Sequence, residues 1–294
     1  MNICSNNPGR FLLGFILLCA VVIAQALIVG CSTISAHGNR LYSADDIVGK
    51  SGFKREYVEA GNFTLLTYQK ISKQGECVRI YIEGDGNAWK TKKQLSDDPT
   101  PRQPVALYLA CEDPYDNIIY IARPGQFLEN SRIKCNPTYW STRRFSPEVV
   151  DVVNKIIDRI KVGAGADFIE LVGYSGGAAI AVLVAAKRDD VAELITIAGN
   201  LDHEALSAYH KTSPLDGSLN PIDYALSVKN IPQRHFAGAK DKVVPLGIIK
   251  KFAKTSGDTK CKSVILVKDC GHNKGWVKAW GTIISENNWI KEAD

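Results

Sequence analysis

Apolar residues fall along this chain in short, separated blocks, and the spacing inside each block sets the element it predicts. Residues 63–68 (Phe-Thr-Leu-Leu-Thr-Tyr) alternate rather than run continuously, the habit of an antiparallel strand with one face on a core. Residues 78–82, 117–122, 168–172, 195–199 and 263–267 are short apolar-rich runs, as expected of buried strands, and residues 231–238 read as a strand running into a turn. Between them lie helical patterns at 104–110, 178–186 and about 246–254. A fourth, over 147–160, places Val149, Val153, Ile156, Ile157 and Ile160 on one face, with Ser146 as N-cap and Pro147 at the first helical position. Strands alternating with helices over about 240 residues predict one α/β domain spanning 51–294, large enough for a sizeable core. Residues 199–230, polar and interrupted by Pro214, Gly217 and Pro221, read either as a lid insertion that shapes a pocket or as a surface loop.

Ser175 lies in Gly173-Tyr174-Ser175-Gly176-Gly177, directly between the apolar run 168–172 and the alanine- and valine-rich stretch 178–186. A G-x-S-x-G by itself is cheap in a chain with 24 glycines. On a strand-to-helix turn it gains chemical meaning. The small flanking residues let the chain turn sharply, the hydroxyl is presented above the sheet edge, and the free N–H groups of the helix point at the oxygen under attack. Two further residues follow in the order the chemistry needs. Asp241 comes just after the strand 231–238, and His272 comes on the loop after the run 263–267. An imidazole there takes the serine proton and returns it to the leaving group, while the carboxylate fixes its tautomer. Asp202, after the preceding strand, is a rival carboxylate. The chain has five histidines; His37, His203, His210 and His235 read as ordinary surface or core residues.

The set Gly173–Gly177, Gly238-Ala239-Lys240-Asp241-Lys242-Val243-Val244-Pro245 and Gly271-His272 resembles the α/β-hydrolase superfamily. More narrowly, Tyr81-Ile82-Glu83-Gly84-Asp85-Gly86-Asn87-Ala88-Trp89, Ile121-Ala122-Arg123-Pro124-Gly125-Gln126-Phe127, Tyr139-Trp140 and Arg144-Phe145-Ser146 resemble uncharacterised bacterial lipoproteins of that superfamily, over roughly residues 50–290. The resemblance implies a mostly parallel eight-stranded sheet with helices on both faces, a nucleophile–acid–base triad and an oxyanion hole. It names no substrate, because the scaffold hosts many reactions. One oxyanion donor should be the N–H of Gly176; the other, counted from Gly84, should be the N–H of Asp85, with Gly86 next. A carboxylate beside a developing oxyanion opposes catalysis, so Asp85 and Glu83 are expected to point away or to pair with a cation, with Arg123 and Arg144 as conceivable partners.

At the N-terminus, residues 11–30 form an apolar run preceded by Arg10 and ending in Ile28-Val29-Gly30-Cys31. The charged-then-apolar order is that of an export signal, residues 1–30, and the small residue before Cys31 resembles the bacterial lipobox. That implies cleavage before Cys31, lipid on this cysteine, a linker over 31–50, and a lipid-anchored protein of the bacterial cell envelope at the outer membrane or periplasmic face. An uncleaved membrane anchor is the alternative, since such a run also spans a bilayer. Beyond the signal and Cys31, the cysteines are 77, 111, 135, 261 and 270, an odd number that leaves at least one free. Cys261 and Cys270 flank a strand, which would hold their α-carbons roughly 25–30 Å apart, too far for a disulfide. A Cys111–Cys135 bridge is conceivable.

The sequence calls for no metal and no cofactor: it has neither C-x-x-C nor H-x-x-x-H spacing. Its net charge of +5 is spread along the chain and gives a nucleic-acid role no support. The expected partners are a small-molecule or lipid ester and the membrane; oligomeric state is not legible. The function expected is a membrane-tethered serine hydrolase working through an acyl-enzyme, an esterase or lipase-like enzyme. Acyl transfer or peptide cleavage by the same triad, and a catalytically silent envelope-binding protein, are the alternatives.

Overall fold

A computed structural model describes residues 40, 43–49, 51–91, 93–128, 135–257 and 262–285. The expected export signal, Cys31, most of the expected linker, His37 and Cys261 lie outside these residues. Ten strands are described: β1 (Lys54–Ala60), β2 (Phe63–Ile71), β3 (Val78–Ile82), β4 (Trp89–Thr91), β5 (Gln94–Leu95), β6 (Asn117–Ile121), β7 (Ile169–Tyr174), β8 (Val191–Ile197), β9 (Gln233–Gly238) and β10 (Lys262–Val267). The helices are α1 (Val105–Glu112), α2 (Pro147–Ala164), α3 (Gly176–Ala185), α4 (His203–His210), α5 (Leu246–Thr255) and α6 (Trp276–Ser285). Two 3-10 segments, Pro137–Trp140 and Pro221–Val228, are also described, and residues 43–48, assigned to the linker from the sequence, are helical and bury Ala44 and Val48 in the core.

Eight strands form one sheet in the order β1-β2-β6-β3-β7-β8-β9-β10. β1 pairs antiparallel with β2, and β2 with β6; every other neighbouring pair is parallel. β1 is an addition to the elements read from the sequence. Its mixed composition, Lys-Arg-Glu-Tyr-Val-Glu-Ala, hides a hairpin whose turn uses Gly61 at φ +58°. β4 and β5 form a separate small ribbon.

Period-two alternation in the central strands divides the core between the two faces of the sheet. From β3 and β6, Ile80, Ile82, Ile119 and Ile121 join the face covered by α2, α3 and α5. Tyr81, Ile118 and Tyr120 join the opposite face under α1 and α6, with Trp276 and Trp280. Each such buried aliphatic side chain contributes about 1.5–3 kcal/mol. The buried tyrosine hydroxyls are paired: Tyr81 donates to Asp113 at 2.5 Å and accepts from the Trp280 indole at 3.0 Å. α2 starts at Pro147 after an extended Ser146, as its sequence predicts, although the Ser146 hydroxyl makes no capping hydrogen bond. It ends at Gly165 in the left-handed region.

Residues 199–230 hold α4 and the second 3-10 segment, which buries Ala225 and Val228 in the core beside α3. The sequence pattern, read as a polar lid or surface loop, predicts no helix in this segment. Its helix is short and polar, with only His203 fully buried, so no apolar stripe announces it.

Candidate active site

Ser175, Asp241 and His272 arrive at one place because β7, β9 and β10 are parallel and all three residues follow carboxyl ends. Ser175 sits between β7 and α3 at φ +52°, ψ −117°, a conformation that costs an L-residue about 1–3 kcal/mol. Its backbone is held there by a bond from its N–H to Ile197 O at 2.9 Å and by the Asn200 and Ala178 N–H groups on its carbonyl. The turn also needs Gly177, where a β-carbon would stand 2.1 Å from Ile82 O.

His272 Nε2 lies 3.0 Å from Ser175 Oγ, and His272 Nδ1 lies 2.9 Å from Asp241 Oδ2. The other Asp241 oxygen accepts from the Val243 and Val244 N–H groups at 2.7 and 2.9 Å. Burial alone would raise the Asp241 pKa. The His272 hydrogen bond and charge, with those two N–H groups, outweigh it and hold the carboxyl below the usual range. His272 is fixed from behind. Its carbonyl accepts from the buried Trp276 indole at 2.9 Å and from the Tyr174 hydroxyl at 3.0 Å, and the Tyr174 ring packs on the imidazole with centroids 5.6 Å apart. Neither residue stands out in the sequence: Tyr174 is one of the two variable positions of the pentapeptide, and nothing local marks an indole four residues after a histidine.

The rival Asp202 is used elsewhere. It caps α4 through the Ala205 N–H at 3.1 Å and pairs with Lys251 at 2.6 Å. The other described histidines stand apart from this relay. His235, buried in β9, bonds Thr196 and Gln233 and is pushed down to about 3 by burial. His203 packs on Phe145, and His210 bonds Val243 O.

The loop expected to supply an oxyanion donor follows β3. Among the described residues, neither the Asp85 nor the Gly176 N–H donates to a protein acceptor; Gly176 opens α3, where the first N–H groups have no intrahelical partner. The Asp85 side chain pairs with Arg144 at 2.8 Å and Arg123 at 3.4 Å. Glu83 takes a different course. It is buried, accepts from the Gly84 N–H at 2.9 Å and the Tyr120 hydroxyl at 3.2 Å, and burial pushes its pKa up to about 7.

A cavity of about 670 Å³ opens over Ser175 and His272. Its walls carry Asn87, Arg102, Gln103 and Asn273 as well as the carbon-rich Pro101, Tyr174 and Val243. None of its lining residues comes from 199–230, the segment read as a lid or a surface loop; the walls come from the end of β7, the loops after β3, β9 and β10, and residues 101–103. Among the described residues no group of three His, Cys, Asp or Glu is placed to hold a metal. Cys77, Cys111, Cys135 and Cys270 are free thiols, so the conceivable Cys111–Cys135 bridge is not formed.

No family profile and no curated protein matches this chain. Solved structures do. An α/β serine hydrolase homologue from Coxiella burnetii is 16% identical, covers 80% of this chain and 96% of its own, and superposes with a TM-score of 0.56. An esterase from Pyrococcus furiosus is 14% identical over 81% of this chain and 93% of its own, TM-score 0.57. A putative lipase from Acinetobacter baumannii is 13% identical over 84% and 93%, TM-score 0.58. The strand order, the helices on both faces and these likenesses show that the chain has the α/β-hydrolase fold and resembles esterases and lipases in structure.

Proposed function

We propose that this protein is a serine hydrolase that cleaves esters through an acyl-enzyme, with Ser175 as nucleophile, His272 as base and acid, and Asp241 as the orienting carboxylate. The observation that carries the reading is the continuous hydrogen-bond relay from Asp241 Oδ2 through the imidazole to Ser175 Oγ, at 2.9 and 3.0 Å. Asp241 accepts a hydrogen bond from Nδ1–H, which fixes the tautomer that leaves the Nε2 lone pair facing the hydroxyl. Oγ attacks the ester carbonyl carbon as Nε2 takes its proton. The oxygen of the tetrahedral intermediate accepts from the Gly176 and Asp85 N–H groups, each such donor being worth about 10² to 10³ in turnover. Nε2 then passes the proton to the departing alkoxide. Water, deprotonated by the same nitrogen, attacks the acyl carbon; the bond to Oγ then breaks as Nε2 returns that proton to Ser175, and the acid leaves. Hydrolysis of p-nitrophenyl esters by the purified protein, lost in Ser175→Ala, tests this reading; equal activity in the two proteins would overturn it.

The cavity walls favour a short or polar acyl ester over a long chain, because Asn87, Gln103, Asn273 and Arg102 offer hydrogen bonds rather than an apolar channel. The proposal extends to location. The run ending at Cys31 supports export and lipidation of that cysteine, which would hold the enzyme at the bacterial envelope facing the periplasm. Incorporation of labelled palmitate, abolished in Cys31→Ser, is the expected result; unchanged incorporation would defeat the anchor.

A further inference from the structure

The stretches 121–127 and 139–146 contain conspicuous residues that the relay does not use, and the structure brings them onto one feature, the loop after β3. The Asp85 carboxylate is pressed against the residue that follows the nucleophile: a β-carbon on Gly176 would stand 2.1 Å from Asp85 Oδ1. A bare negative charge there would repel an oxyanion forming on the Gly176 and Asp85 N–H groups. Two guanidiniums meet it. Arg144 Nη1 donates to Asp85 Oδ2 at 2.8 Å, and Arg123 Nη1 lies 3.4 Å from Oδ1. The two arginines are themselves linked, since Arg123 Nη2 donates to the Arg144 carbonyl, and the Phe145 ring lies 5.5 and 6.0 Å from their guanidinium carbons. Gln126 completes the clamp: its amide donates to Gly84 O at 2.9 Å and accepts from the Arg123 N–H at 3.0 Å.

Arg123 is costly to place. Its side chain is only 4% exposed, and its Nε finds no acceptor among the described residues. Burying a guanidinium in this way destabilises a fold unless its charge meets an opposite one. The charge it meets is the one beside the oxyanion donors.

We propose that Arg144 and Arg123 are positioning residues that neutralise Asp85 and hold its side chain off the reacting atoms, so that its backbone N–H serves the oxyanion. This rests on the ester-hydrolase reading and explains how an acidic residue is tolerated in the oxyanion loop. It separates two roles for one residue: the main chain of Asp85 works on the substrate, and its side chain must be silenced.

The test is a double-mutant cycle in the full-length protein, with kcat, KM, Tm and the rate of fluorophosphonate labelling read for each variant. Arg144→Gln leaves Asp85 underpaired; kcat and the labelling rate should fall by about ten- to a hundredfold with KM within a fewfold. Asp85→Asn in the Arg144→Gln background removes the charge that the arginine held, and should recover at least about tenfold of that loss. Arg144→Lys keeps a cation, should lose less than Arg144→Gln, and serves if the glutamine variant fails to fold. An Arg144→Gln enzyme equal to wild type would overturn the proposal. So would a double variant no faster than Arg144→Gln, which would mean that the arginine only supports the fold, or a lysine variant as slow as the glutamine one. An inert wild type would instead sink the hydrolase reading, and this proposal with it.

Discussion

Asp85 and Gly176 occupy each other's space: the carboxylate of one fills the position that a side chain on the other would need, 2.1 Å from an added β-carbon. The absence of a side chain at 176 and the presence of an acid at 85 are therefore one structural decision. It predicts that Gly176→Ala pushes Asp85 away from its arginines and disturbs both oxyanion donors. The expected loss in kcat is about 10² to 10³, that of an oxyanion donor, while α3 remains formed because alanine is a better helix residue. Steady-state kinetics beside circular dichroism check this; an active Gly176→Ala would show that the contact has no bearing on turnover.

Asp241 and Asp202 offer a paired comparison. Asp241→Asn keeps the shape of the relay but presents an amide to Nδ1, and by analogy with such triads should cut kcat by about 10⁴. Asp202→Asn loses charge at a helix cap and in its pair with Lys251, so its effect should fall on Tm with kcat near wild type. If the two substitutions exchanged these effects, the assignment of the orienting carboxylate would be wrong.

Glu83 gives the fold a pH dependence of predictable sign. Its folded pKa, about 7, lies above the ordinary value of 4.5 because burial disfavours the charged form. A group raised in this way stabilises the fold fully below about 4.5, and that contribution is lost as pH rises through about 7; the span corresponds to something on the order of 3 kcal/mol. Glu83→Gln does not titrate and keeps an acceptor for the Gly84 N–H. Its Tm relative to wild type should therefore improve steadily from pH 4.5 to pH 7.5. A difference that stays constant across this range would remove Glu83 as the cause.

Acyl-chain length tests the cavity. Walls carrying Asn87, Arg102, Gln103 and Asn273 gain little from added methylenes, so kcat/KM should be highest for acetyl to butyryl esters and fall by about tenfold or more toward palmitoyl. A steady rise with chain length would indicate an apolar acyl groove and contradict this description.

What could be read before the fold was known follows from how local each signal is. The convergence of Ser175, Asp241 and His272 was legible because each follows the carboxyl end of a short strand, and parallel strands gather those ends. The hairpin strand Lys54–Ala60 was not, because an edge strand with charges along it has no apolar signature. α6 did carry a signal, Trp276, Trp280 and Ile283 at helical spacing and all buried, but it lies past the last motif of the proposed triad and was not read. Arg123 and Arg144 were named as partners for Asp85 without a means of placing them. Their meeting depends on β6 lying beside β3 and on the 3-10 turn at Pro137–Trp140, and that is tertiary information.

Reaction with a fluorophosphonate, followed by peptide mass spectrometry, asks whether Ser175 Oγ is activated without requiring the natural substrate. We expect one phosphonyl adduct per chain, on the peptide containing Ser175, absent in Ser175→Ala and slowed in Asp241→Asn. A folded wild-type protein that takes up no adduct at Ser175 would overturn its assignment as the nucleophile.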